Sequence, residues 1–274
     1  MKCSIVLSLQ PTVFEGVAYK GEWERHAAKM ARLGYDGVEL AVRDPRLLDI
    51  TYLQKVLSSL GLEVPAIGTG QAYVEEGLSF TDPDEIVRRH ALERVKAHID
   101  FARLLRAQVI IGLIRGRAQE GISREQTMDW LVDALAECAQ YAAPDVRLVV
   151  EPINRYETNL VNTVAEGLAL IQAVGAHHVG LLFDTFHANI EEVSIEGAIR
   201  LAGRNLFHVH VADSNRWYPG AGHIDFASVI AALREIGYEG YLSLEVMPKP
   251  DADTCAQRAI ALLRDLLGKT CQGV

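Results

Sequence analysis

The sequence predicts a single (β/α)8 barrel over residues 1–274, and three observations lead there. Short β-branched runs alternate with longer amphipathic segments from one end of the chain to the other. No Gly/Ser/Pro-rich linker or low-complexity stretch interrupts them, so one βα unit repeats over a length that suits one barrel-sized domain. The rival architecture, a doubly wound open sheet, would carry a Gly-rich phosphate loop after an early strand, and the chain has none.

Taken in order, residues 4–9 form the first strand candidate, and 22–33 follow as a helix with apolar residues at helical spacing. Strands at 37–40 and 63–68 come next, each short and bounded by Gly, Pro or polar residues. A helix over 86–105 is announced by Thr81-Asp82-Pro83-Asp84-Glu85, with proline near the first turn and acids at the positive end of the helix dipole. The strand at 108–112, the helix at 124–142, the strand at 147–151 and the helix at 164–174 continue the alternation. Strands at 179–184 and 206–212, a helix at 226–236, a strand at 240–245 and a helix at 255–267 complete it. Eight strands of this kind place an active site at their C-terminal ends.

A formal charge of -9 argues against a polyanion partner, because nucleic-acid affinity depends on Lys and Arg neutralising phosphates. The four cysteines, Cys3, Cys138, Cys255 and Cys271, are scattered without a CxxC pair, so neither a thiolate zinc site nor a disulfide framework is expected. No apolar run approaches the roughly 18–20 residues that cross a bilayer. The start MKCSIVLSLQ lacks the layout of a signal peptide, so a cytoplasmic location is expected.

Four candidate strands end at, or run past, a metal-capable side chain: Glu151, Asp184, His210 and Glu245. Alternation puts Val149 with Glu151, Leu182 with Asp184, His208 with His210 and Ser243 with Glu245 on one face, so an inward apolar partner turns the ligand inward too. Singly, an acid after a strand reads as a helix N-cap and a strand histidine as a core residue. Four at the same end of consecutive strands read as a metal site. Three carboxylates and one imidazole suit Mn2+ first, with Mg2+ or Co2+ as alternatives. Such an ion polarises a ketone and stabilises an enediolate as the neighbouring proton leaves. Glu151 and Glu245, across the barrel mouth from one another, are expected to serve both as ligands and as the base and acid on the two faces of that enediolate.

The segments EPINRYETN, FDTFHANIEE, HVHVADSNRWYPGAGHIDF and SLEV resemble the sugar-phosphate isomerase/epimerase superfamily, whose members have a xylose-isomerase-like barrel. The resemblance to its ketose 3-epimerases implies a divalent metal on Glu151, Asp184, His210 and Glu245, proton transfer by the two glutamates, and substrate contacts at Glu157, His187 and Arg216. VAYKG, VELAVRDP, AIGTGQAY and VIIGLIRGR resemble the 5-keto-L-gluconate epimerases that make D-tagaturonate. That likeness implies a keto-uronate substrate and a cation to meet its carboxylate. Arg115 and Arg117 are candidates, with Arg43 a further one, and the sequence does not choose among them. The resemblance also implies a homo-oligomer.

Around these positions, the glycines of the segment Gly68 to Tyr73 either permit close substrate approach or form a plain turn. Asn154 and Arg155 support the site or cap a helix, and His208 is expected as a buried core residue beneath His210. Asp213 is expected to orient His210 or a loop, His223 borders the pocket at most, and His177 and His178 are read as surface residues at the opposite end. The competing functions are a ketohexose 3-epimerase and an isomerase or dehydratase acting on a sugar phosphate, hydroxypyruvate or an inosose. An apurinic endonuclease, which would bring several zinc ions and more histidines, and a non-catalytic binding barrel stand further off.

Overall fold

The computed structural model describes residues 1–268, which leaves Cys271 outside the described residues. The barrel strands are β1 (Lys2–Ser8), β3 (Gly37–Ala41), β4 (Ala66–Gly68), β5 (Gln108–Ile111), β6 (Leu148–Val150), β7 (Val179–Asp184), β8 (Leu206–Val211) and β9 (Tyr241–Leu244). A two-residue strand, β2 (Tyr19–Lys20), lies outside the ring against Leu7 and Ser8. All pairings are parallel, and β1 pairs with β9 through Lys2↔Tyr241 to Ile5↔Leu244, which closes the eight-membered ring. The (β/α)8 barrel is the fold of this chain.

The helices are α1 (Trp23–Leu33), α2 (Ile50–Ser59), α3 (Gly70–Glu76), α4 (Glu85–Leu105), α5 (Arg124–Ala142), α6 (Val164–Val174), α7 (Thr185–Glu191), α8 (Ile195–Ala202), α9 (Phe226–Glu235) and α10 (Ala252–Leu266). Side-chain caps begin most of them. Thr163 and Glu166 form a capping box on α6, and Ser123 accepts from the Gln126 amide on α5. At α4 the cap is Asp84, which accepts from the Ile86 amide at 2.8 Å, so Pro83 stands just outside the helix and not in its first turn.

Five strands, β4, β5, β6, β8 and β9, are shorter than expected, and β4 and β6 bear on the site. Before β4 only Glu63 bridges to Gly37, because Pro65 has no N–H to continue the ladder. β6 stops at Val150, so Glu151 is the first residue beyond it. The main core lies between the sheet and the helices, while Ala66, Ile110, Val149 and Leu182 form a small apolar plug inside the ring. That plug floors the mouth where the strands end. No helix among the described residues is long and apolar enough to cross a membrane.

Candidate metal centre and cavity

Register brings the expected side chains to one level. Leu182 pairs with His208 and Asp184 with His210, while His210 is also level with Ser243 on β9, two residues short of Glu245. Glu151, Asp184, His210 and Glu245 each offer one ligand atom, and these atoms all lie within 4.8 Å of one another. His210 Nδ1 stands 3.6 Å from Glu151 Oε1 and 3.8 Å from both Asp184 Oδ2 and Glu245 Oε2. Glu151 Oε1, Asp184 Oδ2 and His210 Nδ1 are buried without a hydrogen-bond partner. Buried polar atoms are ordinarily paired, so three orphans converging on one point fit a cation there.

The electrostatics agree. Burial pushes the Glu245 carboxyl up to about 8, and the charges of Glu151 and Asp184 add to the shift. Burial likewise lifts Asp184 to about 6. Glu151 is held below the usual range against its burial, because the neighbouring His210, with His187 and Arg115 beyond it, favours the charged carboxylate. His210 is raised well above its ordinary value, its burial overcome by Glu39, Glu245 and Glu151. Without a counter-ion, three carboxylates at this spacing cannot all ionise. A divalent cation removes the conflict.

Asp184 answers to both readings of an acid at a strand end. Its Oδ1 caps α7, accepting from the Phe186 amide at 2.7 Å, while Oδ2 faces the ligand set. Glu39, on β3, was not foreseen. Its buried carboxylate accepts from His208 Nε2 at 2.7 Å and from His210 Nε2 at 2.9 Å, and the two imidazoles hold it well below the usual range against its burial. The bond to Nε2 leaves Nδ1 of His210 as the lone pair aimed at the carboxylates. Its signal was an acid in the middle of an apolar strand, GVELA. Glu39, His208 and His210 also lie close enough to form a second ligand set, but their facing atoms are already hydrogen-bonded to one another.

A pocket opens over this group, its roughly 530 Å³ of empty space including open solvent, with Glu151, His210 and Glu245 in its lining. Val6, Phe14, Val17, Ile110, Leu113 and Ile153 make its apolar walls, and Glu157, His187 and Arg216 its polar side. Arg216 has a left-handed backbone (φ 59°), and its guanidinium lies between the Phe14 and Phe186 rings. It donates to Glu157 Oε1 at 2.9 Å and to Glu245 Oε2 at 3.4 Å, while its Nε has no partner. Strain of this kind in a non-glycine residue needs a surrounding that holds it, and collects at functional sites. Asp213 supplies part of that surrounding, accepting from the amides of Ser214, Gly220 and Ile224 to fix the loop that carries Arg216. Gly112 lies so near Glu151 that a Cβ there would come to 2.8 Å from Oε2.

Several expected roles change. Arg115 does not face the cavity: it is fully buried and spends five N–H bonds on the carbonyls of Gly112, Glu151, Leu160 and Val161. It is a clamp on the loop after β6, with nothing left for a substrate carboxylate. Arg117 is exposed and outside the cavity lining, and Arg43 pairs with Glu76 at 3.5 Å, also outside it. Arg155 ties the surface to Glu191. His223 is exposed and pairs with Ser214, whereas Asn154 is buried between Glu157 and His187. His208 is buried as expected, but His178 is not a surface residue: it is buried, with Nε2 bonded to the Ala139 carbonyl. Gly68, Thr69, Gly70 and Gln71 do line the cavity, at the start of α3.

A family model described as the xylose isomerase-like TIM barrel matches residues 27–266. The chain belongs to that family. It is 33% identical over 266 residues to an L-ribulose 3-epimerase of Mesorhizobium japonicum, covering 95% of this chain and 87% of the relative. It is 34% identical over 244 residues to a D-psicose 3-epimerase of Ruminiclostridium cellulolyticum, covering 83% and 80%. Among solved structures, the D-psicose 3-epimerase of Clostridium cellulolyticum H10 with D-tagatose superposes at a TM-score of 0.84 with 26% identity, over 97% of this chain and 99% of that one. Within the xylose isomerase-like barrels, these relatives place the chain among the isomerases that epimerise carbohydrates.

Proposed function

We propose that this protein is a divalent-metal-dependent epimerase that inverts the carbinol carbon beside the ketone of a keto-sugar. One observation carries the reading: two carboxylates, Glu151 after β6 and Glu245 after β9, meet at one buried ligand set from strands three places apart in the ring. The oxygen-rich set suits Mn2+, with Mg2+ and Co2+ close behind. When bound, the cation would polarise the ketone and stabilise negative charge on its oxygen. One glutamate takes the proton from the carbon, the C–H electron pair moves into an enediolate, and the other glutamate returns a proton to the opposite face. Glu157, His187 and the free Nε of Arg216 hold the sugar's oxygens, and the apolar walls keep water from the carbanionic stage.

The cavity lining supports two substrate readings. Arg216 is the one Lys or Arg side chain in its lining among the described residues, and it is already bonded to Glu157 and Glu245, so a neutral ketose inverted at C3 is the first reading. A keto-uronate such as 5-keto-L-gluconate, giving D-tagaturonate, is the second. It is favoured because Val17, Ala41, Gly68, Gln71 and Leu113, all from the segments that resemble the keto-uronate enzymes, line the wall.

Proton NMR in D2O with Mg2+-loaded protein tests both readings. D-fructose, D-psicose, L-ribulose, 5-keto-L-gluconate and D-tagaturonate are compared for interconversion and for deuterium uptake beside the ketone. Ketose exchange exceeding uronate exchange supports the first reading and the reverse supports the second. No metal-dependent exchange with any of them overturns the epimerase, as does full turnover by a Glu245→Gln variant that keeps its metal.

A further inference from the structure

We infer that Asn154 is a positioning residue that locks His187 in one tautomer, with Nδ1 bare and Nε2 carrying the proton that the substrate's oxygen meets. This rests on the epimerase reading for its kinetic consequence, but the lock itself stands on hydrogen bonds alone.

The accounting begins at the amide of Asn154, which is 1% exposed in the loop after β6. Its Oδ1 accepts from the Tyr156 amide at 2.9 Å. Its Nδ2 lies 2.9 Å from Glu157 Oε1 and 2.7 Å from His187 Nδ1. A backbone N–H can only donate and a carboxylate can only accept, so both neighbours fix the same amide orientation, with oxygen toward Tyr156 and nitrogen toward Glu157. Glu157 is pinned as an acceptor in turn, since its Oε1 also takes a bond from Arg216 Nη1 at 2.9 Å. Turning the amide over would set its NH2 against the Tyr156 N–H and its oxygen against the carboxylate.

The second hydrogen on Nδ2 therefore points at His187, whose Nδ1 must be the bare, accepting nitrogen. A neutral imidazole with bare Nδ1 carries its hydrogen on Nε2. That nitrogen has no hydrogen bond among the described residues and stands 3.9 Å from Glu151 Oε1, beside the ligand set and on the wall of the cavity. His187 is itself 2% exposed and held at the first turn of α7 by the Asp184 cap, so the ring has little freedom to compensate. Asn154 thus presents an N–H to the place where an oxygen of the substrate gains charge. An N–H placed this way is worth most in the transition state.

The test reads the tautomer directly. Long-range proton–nitrogen correlation spectra are taken on Mg2+-loaded protein with 15N-labelled histidine, using His187→Gln to assign the signals. The wild type is expected to show a bare-type Nδ1 and a protonated-type Nε2 at His187. Asn154→Asp, whose carboxylate can only accept from the ring, is expected to reverse the two, with kcat falling about 100-fold and KM changing far less. Asn154→Ala is expected to show a mixture of tautomers and a smaller loss. A protonated Nδ1 in the wild type overturns the lock whatever the variants do, and this covers the case in which Asn154→Asp fails to fold. An unreversed ring in folded Asn154→Asp also overturns it, and a reversed ring with unchanged kcat overturns the positioning role. If no keto-sugar turns over, the epimerase reading fails while the spectra still decide the tautomer.

Discussion

Single side chains are expected to set the candidate metal centre's affinity and its pH dependence. Glu39 holds Nε2 of His210 from a fully buried position, so Glu39→Gln should weaken the orientation of the ligand ring while keeping its volume. Metal affinity is expected to fall roughly 10- to 100-fold in chelator competition, and an unchanged affinity would show that the ring needs no such support. The pH prediction follows from the raised acids. In the metal-free protein Glu245 keeps its proton up to about 8 and Asp184 up to about 6, and His210 is raised well above its ordinary value by Glu39, Glu245 and Glu151 despite its burial. A cation must displace those protons, so affinity should climb as pH rises through 6 and 8, with proton release detectable by calorimetry in buffers of different ionisation heat. Flat affinity over that window would contradict the shared site. At this scale the sequence was only partly legible: inward-facing acids and His210 at strand ends could be read from alternation. Glu39 was hidden in mid-strand and Arg115 was misread, because the partners of each lie far away in the chain.

Strands and loops decide whether those side chains arrive together. The eight strand centres were readable because apolar runs bounded by Gly, Pro and polar residues leave little choice, whereas α7 and α8, at 7 and 8 residues, are too short to show a helical period. The loop after β6 shows the limit from the other side. It carries Glu151, Asn154 and Glu157, and its shape depends on Arg115 reaching from the segment after β5 to the carbonyls of Glu151, Leu160 and Val161. Val161 has a left-handed backbone (φ 55°), so the clamp also holds strain. Burial draws the Arg115 guanidinium down only to about 10, which leaves it charged at neutral pH. Arg115→Leu removes that charge and strands several buried carbonyls, so urea unfolding should show a loss of about 3 kcal/mol or more. Stability within about 0.5 kcal/mol of wild type would mean that the loop needs no clamp.

At the scale of the whole molecule, the alternation predicted a barrel, but closure itself is invisible in sequence, since β1 meets β9 only after every intervening unit is placed. The candidate ligands belong to that closed state alone: they sit at the ends of β6, β7, β8 and β9, and the strand order makes these four neighbours. An ion that binds them binds the native barrel and not the unfolded chain, so it should stabilise the molecule by mass action. At a free metal concentration 100-fold above Kd the gain is about 2.7 kcal/mol, which for a chain of this size raises Tm by roughly 5–10 °C. Asp184→Asn separates this effect from general salt stabilisation. The amide oxygen can still cap α7 as Oδ1 does now, while the charged oxygen facing His210 is lost. The expected outcome by calorimetry is a folded variant whose Tm no longer responds to Mn2+, beside a wild type whose rise is reversed by a chelator. A wild type that ignores the metal, or a variant that still follows it, would remove the four strand ends as a joint metal site.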